Sequence, residues 1–240
     1  MKKRELDKIL LLESNKKQIE FSNKLKLNDK YKILGIKTNE IKNISKQLSL
    51  NEGISHIDDF LNYTEPLIYE EVLISYFTFS FLSKKIDQAT FYSYLDKLLK
   101  YNNSWSTNDT IALAIKPRKK DLSSYFEYLS NLLKSENLWD IRFAVVSLMK
   151  SYLIDEYIEK TLMLFLSVKS EEYYVEMALG WAFATALAKQ RDITYPYIFG
   201  KKINNRVNKI AIQKSIESRR ISESDKIELK KLRNEINSLL

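Results

Sequence analysis

The sequence predicts an all-α protein, a solenoid of stacked helix pairs, and three observations carry that reading. Glycine (4) and proline (3) are scarce in a chain of 240 residues. Sheet-rich folds need many turn residues, whereas long helices joined by short loops do not. Apolar-rich helical patterns begin near Glu70, Ser106, Leu138, Glu171 and Asn204, at steps of 36, 32, 33 and 33 residues. Small residues keep the same register, with Ala144, Ala178 and Ala211 spaced 34 and 33 apart. A repeat of one helix pair cannot bury its apolar face alone, so neighbours stack. The second helix of each pair then lines one continuous, concave surface.

Taken in order, RELDKILLLES (4–14) reads as a short helix and NKKQIEFSNKL (15–25) as a weaker one. YKILGIKT (31–38) carries Gly35 ahead of a further helix. The five repeating second helices are EEVLISYFTFSFLSK (70–84), STNDTIALAIK (106–116), LWDIRFAVVSLMKSYL (138–153), EEYYVEMALGWAFATALAK (171–189) and NNRVNKIAIQKSIES (204–218). More polar partners lie between them, at DQATFYSYLDKLLK (87–100), LSSYFEYLSNLLK (122–134) and EYIEKTLMLFLSV (156–168). A last helix follows Ser222, which is placed to cap it with Asp225 three residues on. No linker interrupts the pattern, so the expectation is one domain, 1–240.

Composition removes several chemistries. Cysteine is absent, which excludes disulfides, thiolate-bound zinc and thiol catalysis. His56 is the only histidine, which argues against a Ser-His-Asp arrangement and excludes a histidine-rich metal site. His56 itself, in SHIDDF, reads as exposed and inert. No glycine-rich phosphate loop is present. No metal and no cofactor are therefore expected. The start, MKKRELDKILLL, has four successive apolar residues before Glu13, too few for a signal-peptide core. The apolar stretch LISYFTFSFL (73–82) falls short of the ~18–20 residues that span a bilayer. The expectation is a soluble, cytoplasmic monomer with no membrane contact.

The net charge of +8 is uneven. Residues 201–240 hold eleven Lys/Arg against five Asp/Glu, 101–200 hold eleven against twelve, and 1–100 hold seventeen against fourteen. A basic end on a near-neutral body points to a polyanionic partner. Arg206, Lys209, Lys214, Arg219 and Arg220 lie on or beside the last repeat, where helical spacing lets several follow a phosphate backbone. Ordinary solvation is the alternative for each.

Four further residues stand out by position. Arg142 begins the row Arg142, Val146, Met149, Leu153, so a guanidinium opens an apolar stripe. It serves either as a bidentate phosphate clamp or in a buried ion pair with an acid such as Asp140 or Glu176. Trp181 shares a face with Tyr174, Met177, Ala178 and Ala184 and is either core or an aromatic wall. Trp105 lies just before its helix, as a staple or as a second wall. Asp109 follows Ser106 by three residues, a capping-box spacing. It is either a cap or a carboxylate facing a cationic ligand. These residues come from three consecutive repeats.

These segments together resemble the AlkD-like family of DNA alkylation repair proteins, built from HEAT-like helical repeats, over roughly residues 28–237. The resemblance rests on YKILGIKTNEIKNISKQL (31–48), the W-x-x-x-D of Trp105 and Asp109, and the W-x-x-R-F-A-V-V of 139–146. It rests also on the Y-Y-V-x-M-A-x-x-W-A of 173–182 and on NKIAIQKSIESRRIS (208–222). It implies a concave DNA-binding face and a glycosylase that removes cationic N-alkylated purines, of the 3-methyladenine and 7-methylguanine types, from double-stranded DNA. Asp109 matches the catalytic carboxylate facing the lesion's sugar, Trp105 and Trp181 match the indoles beside that sugar, and Arg142 matches the arginine at the DNA backbone. The glycosylase branch carries an N-terminal helical pair that grips the lesion, and NKKQIEFSNKLKLND here resembles a reduced version. The alternative is therefore a repeat protein that binds DNA structure or damage without cutting; a scaffold for protein partners is a third reading.

Overall fold

Fourteen α-helices and a single 3-10 turn account for most of the residues described, which in this computed structural model are 3–27, 30–63, 67–200 and 202–237. No strand occurs among them; one isolated bridge joins Lys32 and Ile68. The class is all-α, as the scarcity of turn residues implies. The chain packs as two compact units, residues 1–120 and 121–240.

The first unit contains α1 (Lys3–Leu12), α2 (Lys16–Lys24), α3 (Thr38–Asn51), α4 (Ser55–Leu61), α5 (Tyr69–Leu82), α6 (Gln88–Leu99) and α7 (Trp105–Ala114). Its centre is α5, which packs on α3, α4 and α7. Being apolar on nearly every side, α5 can only be an interior helix. Each of its two acids accepts backbone hydrogen bonds within the unit. Glu71 accepts from the Ile68 N–H at 2.7 Å, closing the helix start. Glu70 accepts from the backbone N–H groups of Leu34, Gly35 and Ile36, the shortest at 2.7 Å.

Those three N–H groups converge because Gly35 sits at φ +77°, a left-handed turn that glycine adopts without strain. The same turn seats the N-terminal pair. Leu34 O accepts from the Asn15 N–H at 3.0 Å and from the Ser14 hydroxyl at 2.9 Å. A Cβ on Gly35 would lie 2.8 Å from the Ile19 backbone nitrogen, so α2 rests directly on the bare glycine. The short pair α1–α2 is thus docked, with Leu6 and Leu10 buried.

The second unit contains α8 (Leu122–Leu132), α9 (Leu138–Ser151), α10 (Ile158–Ser167), α11 (Tyr173–Lys189), α12 (Arg191–Ile198), α13 (Asn205–Glu217) and α14 (Glu223–Asn237). Here α9 packs on α11, α11 on α13, and α13 on α14. The alanines of the repeat register, Ala144, Ala178 and Ala211, are all fully buried on these helices. The approach of α11 and α13 is closest at Gly180, where an added Cβ would overlap Ile210 and come within 3.1 Å of the Ala211 nitrogen.

All five repeating helices start within two residues of their expected positions. Two short helices, α4 and α12, escaped the pattern. His56 reverses its expectation: it is 2% exposed on α4, beside the buried Ile57 and Phe60. Burial holds its imidazole below the ordinary value, hence neutral at pH 7, and neither ring nitrogen has a hydrogen-bond partner among the described residues.

Candidate nucleic-acid interface

In the first unit the site residues lie at the start of α7. The helix is capped by Ser104, whose hydroxyl accepts from the Thr107 N–H at 3.3 Å, while Thr107 Oγ1 accepts from the Ser104 N–H at 3.3 Å. The capping box is therefore Ser104–Thr107, and the Ser106–Asp109 box expected from spacing is not formed. The reason is a tertiary contact: Ser106 lies inside the first turn, and its hydroxyl pairs with that of Tyr69 on α5. Burial raises the Tyr69 phenol to about 12, so it stays protonated there. Trp105 is the first helical residue and is half-buried. Asp109 is one turn on, 9% exposed, and plays no part in the cap.

In the second unit the helices α9, α11 and α13 carry the rest. Arg142 is 5% exposed, and its Nη1 donates to the Tyr174 carbonyl at 2.6 Å. The row behind it, Val146, Met149 and Leu153, is buried as the spacing implies. The Arg142 guanidinium thus lies against the first turn of α11, where the Tyr174 ring sits 5.2 Å from that of Trp139. Glu176, one acid offered as an Arg142 partner, is 3.3 Å from Arg206 Nε and ties α11 to α13.

Trp181 is half-buried and walls a cavity of about 230 Å³ together with Ala184, Thr185, Lys214, Glu217, Ser218 and Arg220. Two of the expected basic residues, Lys214 and Arg220, thereby meet the expected indole. Lys209 meets Lys214 in a neighbouring cavity of about 390 Å³ that also includes Arg233. Arg219 is exposed in the turn after α13 and lines neither cavity. Arg206 is exposed but already charge-compensated by Glu176.

Two cations that the sequence reading passed over belong to this neighbourhood. Lys189 ends α11, and Lys150 lies in the last turn of α9. Burial, then the fields of Arg220 and Lys150, depress the Lys189 ammonium below its ordinary value. Neither gives a signal in the sequence, since a single lysine in the last turn of a helix is ordinary. Among the described residues no group of three or more acids or histidines is placed to hold a metal ion, and no helix is long and apolar enough to cross a membrane.

Fold and site together define an all-helical repeat protein with an indole-walled, cationic face suited to a polyanion. The sequence matches the family described as DNA alkylation repair enzyme over residues 7–218, and the chain belongs to that family. The match begins inside α1, earlier than the resemblance read from motifs, and so takes in the N-terminal pair. In structure the chain is similar to smu.31 from Streptococcus mutans UA159, with a TM-score of 0.58 and 20% identity over 77% of this chain and 92% of that one. That likeness shows the fold. No curated protein matches the sequence.

Proposed function

We propose that the protein is a monofunctional DNA glycosylase that excises cationic N-alkylated purines from duplex DNA. The observation that carries this reading is Asp109. It is a carboxylate on the first turns of α7 in a chain of the DNA alkylation repair family, and Ser104 and Thr107 relieve it of capping. An alkylated purine such as 7-methylguanine already bears a positive charge and leaves as a neutral base. As its N-glycosidic bond breaks, positive charge develops on the deoxyribose. A carboxylate lowers the energy of that charge, and the π faces of Trp105 and Trp181 add to the effect. Asp109 also orients the water that adds to C1′, accepting its proton to leave a 1′-hydroxyl abasic site. Arg142 serves the DNA backbone, and the basic residues of α13 and the turn beyond it supply sequence-independent affinity. We take the protein to work as a cytoplasmic monomer; that it works as one domain is supported by a family match that crosses both units.

The second reading, a protein that binds DNA without cutting, is favoured by the brevity of the N-terminal pair, 10 and 9 residues long. Incubating the protein with duplex DNA carrying 7-methylguanine separates the two. Abasic sites accumulating above background support the glycosylase. Bound but uncut DNA at every time point supports the second reading.

A further inference from the structure

The chain running from the end of α6 into the first turn of α7 is held by three tyrosine hydroxyls. Tyr31 Oη donates to the Tyr101 carbonyl at 3.1 Å. Tyr76 Oη donates to Asn102 Oδ1 at 2.8 Å. Tyr69 Oη pairs with Ser106 Oγ, one residue past Trp105 and three before Asp109. Tyr69 and Tyr76 are seven residues apart on α5 and so share a face of it. Packing alone does not ask for these hydroxyls, since phenylalanine fills the same apolar volume with no polar atom to satisfy.

Of the three, Tyr69 bears on α7 itself, and its own place is fixed. Its N–H donates to the Lys32 carbonyl at 2.9 Å, and its neighbour Glu70 binds the N–H groups of Leu34, Gly35 and Ile36. Its side chain is buried. By contrast α7 is short, 10 residues, and its Ser104–Thr107 cap is internal to the helix. A cap of that kind sets where a helix begins but not its rotation about its own axis. Trp105, Ser106 and Asp109 lie on one side of α7, where residues three and four apart are neighbours. Side-chain atoms stand about 6 Å from a helix axis, so a rotation of about 10° carries the Asp109 carboxylate about 1 Å. A displacement of that size costs about 100-fold in rate where a catalytic group must meet its substrate in register.

We propose that Tyr69 is a positioning residue: through Ser106 its hydroxyl sets the rotation of α7 and so aims Trp105 and Asp109. The inference rests on the reading of Asp109 as the carboxylate that faces the deoxyribose. Tyr69 acts through the helix and not on the substrate.

The test uses the full chain. Single-turnover release of 7-methylguanine, and affinity for the same duplex, are measured for wild type, Tyr69→Phe, Ser106→Ala and a control, Tyr94→Phe. The control removes a hydroxyl from the same unit, one that donates to Asp58 Oδ1 at 2.6 Å between α6 and α4. Tyr69→Phe and Ser106→Ala should each slow release by about 10- to 100-fold with affinity unchanged. The double variant should be no slower than either, because both remove one bond. Ser106→Thr, which keeps a hydroxyl, should release at close to the wild-type rate. Ser106→Ala carries the reading should Tyr69→Phe fail to fold. Fluorine NMR of protein labelled with fluorotryptophan supplies a readout without activity, its Trp105 line assigned with Trp105→Phe. Tyr69→Phe and Ser106→Ala should shift or broaden that line and leave those of Trp139 and Trp181, in the other unit, in place. An inactive wild type would end the glycosylase reading and leave the Trp105 line to decide the tether. In an active protein, release by both single variants at the wild-type rate, or a loss matched by Tyr94→Phe, overturns the proposal. An unmoved Trp105 line overturns it in either case.

Discussion

At the scale of single residues, a shift of two positions decides the functional reading. The sequence offers Ser106 and Asp109 as a capping box, which would have folded the carboxylate back onto its own helix. The cap instead lies two residues earlier, Ser104 and Thr107 close the box, and Ser106 turns to Tyr69. Local spacing could not choose between two serines two residues apart; only the tertiary contact to α5 does. His56 shows the same limit. Its neighbours Asp58 and Asp59 made the segment look exposed, but a helix puts His56, Ile57 and Phe60 on the inward side. The buried imidazole has a consequence for stability. Its folded value lies below 6.5, so the unfolded chain binds the proton first as pH falls. Stability present above pH 6.5 is therefore lost as pH drops from 6.5 through the lowered folded value. Urea midpoints measured between pH 7.5 and 5.5 should decline for wild type and decline less for His56→Leu. Parallel curves would remove His56 as a cause.

At the scale of elements, the five repeating helices were legible because their apolar periodicity is long and regular. The helices α4 and α12 were not, being 7 and 8 residues long. Helices so short owe their existence to packing rather than to propensity. In α12 the internal Pro196 acts as a breaker: it has no N–H to give the carbonyl four residues back, and the helix ends two residues later at Ile198. Gly180 marks how tightly the repeats nest. An alanine there gains helix propensity of about 1 kcal/mol but must displace Ile210 and press on the α13 backbone. The expected net effect of Gly180→Ala is a loss of about 1–2 kcal/mol in chemical denaturation. A gain in stability would mean that α11 and α13 have room to part. The last helix behaves as the sequence implies: the Asp225 N–H donates to Ser222 Oγ at 3.1 Å. The Asp225 carboxylate also accepts from the Arg191 guanidinium, at 2.6 Å from Nη2, which holds it below the usual carboxylate range. Asp225→Asn should cost about 1 kcal/mol, modest because the Arg191 side chain is half exposed. A larger loss would point to a tighter α12–α14 connection than the exposed arginine implies.

At the scale of the whole molecule, charge and chemistry are unequally placed. Residues 201–240 contribute six of the eight net positive charges. The acid expected to do the chemistry, Asp109, lies in the near-neutral middle of the chain. Sequence alone singled out the carboxylate, the two indoles and the arginine as candidates, by where they sit and by the family motifs around them. It missed Lys150 and Lys189 because a lysine at a helix end is ordinary until a second cation is seen beside it. For DNA binding as a whole, log affinity should fall linearly with log salt concentration, at roughly 0.9 per phosphate neutralised. The central claim, that Asp109 stabilises charge developing on a deoxyribose, is tested most directly by single-turnover release of 7-methylguanine from duplex DNA by wild type and by Asp109→Asn. The account predicts that the variant loses about 100-fold or more in release rate while binding the duplex as tightly as wild type or tighter, since a negative charge near phosphates is gone. Release by Asp109→Asn at the wild-type rate would contradict it.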